Sequence, residues 1–109
     1  MVRGASEAVG LSMTRRVVFR PQAEEDALEV RQWYEGRRAG LGVEFGLAVD
    51  QLVARVAANP VAFPRAHGET RRAVLPRFPY AVYFRAVGDD VVILALHGRQ
   101  HQSHWQARS

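Results

Sequence analysis

Residues 79–97 read PYAVYFRAVGDDVVILALH, and this stretch decides the fold. Two runs rich in β-branched and aromatic residues, 79–87 and 91–97, flank Gly88-Asp89-Asp90, whose residue types favour the tight turn of a β-hairpin. In the first run Tyr80, Val82, Phe84 and Ala86 share one face, and Ala81, Tyr83, Arg85 and Val87 share the other. The second run is apolar at both phases, which predicts a central strand covered on both sides.

Working outward, TRRAVL at 70–75 predicts a third strand, on which Arg71 and Arg72 point to opposite faces. Residues 41–58 place Leu41, Phe45, Ala48, Leu52 and Val56 on one helical stripe, and Asn59-Pro60 ends it. Before that, Pro21 opens a helix and is followed by Glu24, Glu25 and Asp26, acids near the start that suit the positive end of the helix dipole. Ala23, Ala27, Val30 and Tyr34 form its apolar face, Arg37 and Arg38 close it, and Gly40 follows. The run RRVVFR at 15–20, stopped by Pro21, predicts a short N-terminal strand. The order strand, helix, helix, strand, strand, strand gives an α+β fold, a two-helix hairpin packed on a small, mostly antiparallel sheet. Residues 1–13 are expected to form a flexible tail ahead of a single domain at 14–109, with Met13 an alternative start. The polar end GRQHQSHWQARS holds at most a short turn around Trp105.

At 109 residues, 48% hydrophobic and 24% charged, the chain is long enough to bury a core as one domain, and a multidomain enzyme or a repeat array is excluded. The absence of cysteine removes a disulfide framework, a thiolate metal site and a cysteine nucleophile. No apolar run is long enough to span a bilayer as a helix. All 15 basic residues are arginine, so no lysine serves as base or nucleophile, and every fixed cation is a planar fork suited to phosphate or carboxylate. Residues 21–58 are net acidic and both flanks are net basic, for a total of +4. That asymmetry points to a polyanion-facing surface built mainly by the C-terminal half.

The sequence resembles the RelE/ParE superfamily of toxins from type II toxin–antitoxin pairs. The resemblance is carried by VVFRPQAExD (17–26), WYE (33–35), GLGxxF (40–45), NPxxFP (59–64), RRAVLxRFPYxVYF (71–84) and VILALHGR (92–99), followed by Trp105. It covers roughly residues 15–105, with six motifs in order. It implies the same element order, a cytoplasmic toxin, and a cognate antitoxin whose extended or helical segment wraps it. Within the superfamily, RelE-like members cut messenger RNA on the ribosome, whereas ParE-like members bind DNA gyrase and block it. The WYE and GLGxxF spacing and the RFPYxVYF strand look ParE-like. The resemblance thus implies gyrase inhibition without cofactor or metal. The alternatives are a ribosome-dependent endonuclease and a non-toxic basic module that only binds within a toxin–antitoxin complex.

A metal-free ribonuclease needs a base for the 2′-hydroxyl, an acid for the leaving oxygen and a cation for the phosphorane. The lysines and C-terminal tyrosine that RelE-like nucleases use have no match here, since Tyr83, in mid-strand, is the last tyrosine. A nuclease would draw on His97, Arg72 and Arg99. Histidine transfers protons near neutral pH, and His97 ends a central strand. Its structural role, a strand-end imidazole bonded to a backbone carbonyl, is the competing reading. A zinc site from His97, His101 and His104 would need a fourth ligand or a water. For target binding the candidates are Arg72, Arg77, Arg85, Arg99 and His101, guanidiniums and an imidazole suited to gripping phosphate or an acidic protein surface. Trp33 and Tyr34 are assigned to helix packing, and Phe63 and Phe78 to anchoring loops.

Overall fold

The computed structural model describes residues 14–98. In chain order they form β1 (Arg16–Phe19), α1 (Pro21–Arg37), α2 (Leu41–Ala58), a 3-10 turn (Pro60–Ala62), β2 (Arg65–His67), β3 (Thr70–Val74), β4 (Tyr80–Val87) and β5 (Asp90–Gly98). The strands make one sheet in the order β1-β5-β4-β3-β2. β1 joins β5 in parallel and the other pairs are antiparallel. β5 is therefore interior, as its apolar character at both phases requires. The N-terminal tail, together with Arg99, His101, His104 and Trp105, lies outside the described residues.

Each helix starts and stops for a local reason. Pro21 follows the extended Arg20 and fits the first turn of α1, where a missing amide proton costs nothing. Gly40, at φ 91°, makes the left-handed turn into α2. The Glu35 carboxylate reaches across this turn and accepts hydrogen bonds from the amides of Gly40 and Gly42, both at 2.8 Å. Those amides belong to the N-terminus of α2 and have no partner within the helix. Gly42 is also where the helices touch, since a Cβ there would lie 2.6 Å from the Arg31 carbonyl oxygen. The segments WYE and GLG are thus two halves of one helix–helix joint.

Both helices lie on one face of the sheet among the described residues. Phe45, Val49, Leu52, Val53 and Val56 of α2 and Ala23 of α1 pack with Ala73, Tyr80, Val82, Phe84, Val91, Ile93 and Leu96 of the sheet. Each large side chain buried there contributes about 1.5–3 kcal/mol by leaving water. Phe45 sits within an aromatic group, with ring centroids 5.2 Å from Phe78, 5.4 Å from Tyr34 and 5.8 Å from Tyr80. Phe63 and Phe78 anchor their loops on this core. No helix among the described residues is long and apolar enough to cross a membrane.

Two details depart from the sequence reading. Trp33 does not join Tyr34 in the helix packing: it is 52% exposed, with the Arg37 guanidinium 4.4 Å above its ring. Successive helical residues are turned about 100° apart, and Tyr34 takes the inward direction. Strand β2 was not foreseen. It is only three residues long and exposed throughout, so it has no alternating pattern to read. The turn at Gly68, φ 56°, folds it back onto β3.

Candidate functional site

The far face of the sheet, away from both helices, is set by a phase shift in β5. Tyr83 pairs with Ala95, but the next residue, Phe84, pairs with Ile93, so Leu94 is an extra residue in the ladder. Such a bulge re-aims every side chain beyond it. Before Leu94 the odd positions Val91 and Ile93 enter the helix-side core; after it Leu96 does. Ala95 instead joins Ala81 and Tyr83 in a second buried cluster, and His97, paired with Ala81, follows it. Without the bulge His97 would face the helices.

The edge of β5 beyond the bulge is held from the helix side. β1 ends at Phe19, after which the Arg20 amide donates to the Ile93 carbonyl at 2.9 Å. Farther along, the Leu96 amide donates to Asp26 Oδ2 of α1 at 3.2 Å. Asp26 thus continues the hydrogen bonding that β1 leaves off.

On the far face, Arg72 of β3 lies directly opposite Tyr83 of β4, and Val74 lies opposite Ala81. Arg72, Val74, Ala81, Tyr83 and His97 line a cleft of about 220 Å³. The Tyr83 and His97 ring centroids are 6.1 Å apart. His97 is only 8% exposed and Tyr83 5%, whereas Arg85, two residues along from Tyr83 on the same face, is exposed. The structure therefore gathers Arg72, Arg85 and His97 around Tyr83. Arg77 is elsewhere, in the β3–β4 loop on the helix side, with its guanidinium 3.8 Å from Glu44 and 5.4 Å from the Phe78 ring. Arg99 and His101 lie outside the described residues. Arg71 shows why its neighbour is the one available: it points to the helix side and donates to the Phe63 carbonyl at 2.7 Å.

Two other surface features stand out. A groove of about 420 Å³ runs between α1 and α2, with Leu28, Val43 and Leu47 half exposed along it and Phe19 and Phe45 among its lining. On the other flank of α2, a cleft of about 250 Å³ separates the helix from Pro76 and Arg77. Sequence reading found neither, because each combines residues far apart in the chain. Glu35 was noticed only within a motif. Its carboxylate is held below the usual glutamate range, chiefly by the Gly40 and Gly42 amides.

No protein-family model and no curated protein matches the sequence. Solved structures do. A chain of the chromosomal ParDE toxin–antitoxin system from P. aeruginosa superposes with a TM-score of 0.68 at 16% identity, covering 79% of this chain and 97% of that one. This is the RelE/ParE fold. A chain of the RelBE2 toxin–antitoxin complex from Mycobacterium tuberculosis superposes with a TM-score of 0.54 at 17% identity, covering 79% of this chain and 99% of that one.

Proposed function

We propose that the chain is the toxin of a type II toxin–antitoxin pair, that it acts in the cytoplasm, and that it inhibits DNA gyrase by binding rather than by cleavage. The observation that carries binding over cleavage is the state of His97, the histidine that lines the far-face cleft. A general base must reach the proton it abstracts. His97 is 8% exposed and lies beside the Tyr83 ring, while Arg85 on the same face is open to solvent. That combination suits a recognition surface that grips acid or phosphate groups. Superposition on chains of a ParDE system and of a RelBE2 complex supports the toxin reading. The antitoxin belongs to this reading, and the apolar groove between α1 and α2 gives one of its segments a seat. The target surface would comprise Arg72 and Arg85, with Arg99 and His101 as candidates from the C-terminal end.

A messenger RNA endonuclease is the second reading, favoured by Arg72 and His97 lining one cleft. Two assays divide the readings. Purified chain titrated into a gyrase supercoiling reaction should stop it near stoichiometric amounts, and antitoxin from the adjoining reading frame should restore it. Primer extension on translated messages should show no new 5′ ends. New ends that vanish with His97→Ala, with supercoiling unaffected, would overturn the proposal. Growth that continues on expression without antitoxin would overturn both readings.

A further inference from the structure

The cleft between α2 and the β3–β4 loop has the chemistry of a carboxylate receptor. Its α2 wall is one helical stripe, with Glu44, Leu47, Ala48, Gln51, Leu52 and Arg55 spaced by threes and fours; the opposite wall is Pro76 and Arg77. Each wall carries a guanidinium next to an aromatic ring, Arg55 at 5.8 Å from the Phe63 centroid and Arg77 at 5.4 Å from that of Phe78. Such stacking holds the planar fork in place and lowers the entropy lost when it grips an anion. Gln51 adds a neutral amide and Leu52 an apolar floor.

The mouth already holds a carboxylate, loosely. Glu44 lies 3.5 Å from Arg38 and 3.8 Å from Arg77, and all three side chains are well exposed. Pairs this long and this wet contribute little, so a better-placed acid can displace Glu44. Arg38 and Arg77 thus share one weakly engaged acid at the mouth, and Arg55, eleven residues along α2 from Glu44, stands about 16 Å farther up the helix on the same cleft, all on a surface remote from the far face of the sheet.

We propose that this cleft binds an acidic segment of a protein partner, with one carboxylate on Arg77 and another on Arg55 and an apolar neighbour resting on Leu47, Ala48 and Leu52 between them. The separated guanidiniums and the apolar floor between them fit a short acidic peptide with an aliphatic side chain. A phosphodiester backbone, by contrast, would run its row of charges past Glu44. The chemistry of the cleft is independent of the toxin reading and is tested without reference to toxicity.

The test follows the side-chain Nε–Hε NMR signals of Arg55 and Arg77 in the full chain. The probe is the peptide acetyl-Leu-Glu-Asp-Leu-amide, set against acetyl-Leu-Gln-Asn-Leu-amide, inorganic phosphate and a short DNA duplex. Both signals should move and saturate with the acidic peptide and not with its amide control. Arg55→Gln or Arg77→Gln should weaken binding at least tenfold. Both residues are exposed, so a circular dichroism spectrum like that of the parent is expected and confirms that the variants fold. Glu44→Gln, which removes the resident competitor, should tighten the acidic peptide severalfold. The proposal is overturned by equal response to the two peptides, by saturation with phosphate or duplex at lower concentration than with the acidic peptide, by the absence of any saturable shift, or by weaker binding in Glu44→Gln.

Discussion

Asp26, in the second turn of α1, accepts a hydrogen bond from the Leu96 amide of β5 at 3.2 Å, although the two residues are 70 apart in sequence. The contact fastens the helix to the strand just beyond its bulge, where no neighbouring strand supplies an acceptor on that edge. Removing the acceptor leaves a partly buried amide unpaired, which costs about 1–3 kcal/mol. Asp26→Ala should lower the urea midpoint accordingly and raise the exchange rate of the Leu96 amide proton. Asp26→Asn, which keeps a carbonyl oxygen, should recover most of the loss. Equal effects of the two substitutions would show that the hydrogen bond is not what Asp26 contributes.

Glu35 gives a pH-dependent test of the helix joint. The Gly40 and Gly42 amides stabilise its ionised form, so its folded-state value lies below that of the unfolded chain. A depressed carboxylate stabilises the fold fully above its unfolded value, about pH 4.3, and that stabilisation fades as pH falls through the lower folded value. Glu35→Gln should therefore be less stable than the parent at neutral pH, and the gap should close on acidification below about pH 4. Urea midpoints measured from pH 7 to pH 3 decide the matter, and a constant gap would refute the assignment.

Glycine-to-alanine substitutions at two positions should have opposite signs. At Gly42 an added Cβ meets the Arg31 carbonyl oxygen at 2.6 Å and the Glu35 carboxylate at 2.8 Å. Overpacking of this kind costs about 1–3 kcal/mol. At Gly36, inside α1, nothing lies within 4 Å, and alanine should stabilise the helix by about 0.5–1 kcal/mol. For a domain of this size each kcal/mol moves the thermal midpoint by about 4–8 °C. Scanning calorimetry showing both variants shifted the same way would contradict the helix contact.

How far the sequence could be read is visible in β5. Its interior position was legible because apolar residues occupy both phases of the run from Val91. The same property hid the bulge. When both faces are apolar, an extra residue at Leu94 leaves no break in the pattern, and the resulting orientation of His97 is settled only by its pairing with Ala81. The helices were legible almost to the residue, because Pro21, Gly40 and Asn59-Pro60 act locally. The arginine surface was legible only in part. Strand alternation separated Arg71 from Arg72, but nothing local tells that Arg77, in a loop, turns toward α2 and Glu44 instead of joining Arg72 and Arg85.

That alternation supplies the last prediction, from two adjacent residues of one type. Arg71 donates to the Phe63 carbonyl at 2.7 Å on the helix side, while Arg72 lies in the far-face cleft opposite Tyr83. Hydrogen bonds from charged groups contribute about 1.5–3 kcal/mol. Arg71→Ala should lose stability of that order, read by urea denaturation, while the fraction still folded keeps its potency. Arg72→Ala should keep its urea midpoint but lose about 10- to 150-fold in potency against gyrase supercoiling, the same energy expressed as lost binding to a partner. If Arg72→Ala instead lowers the urea midpoint while its folded fraction inhibits normally, the far face is structural and the recognition surface lies elsewhere.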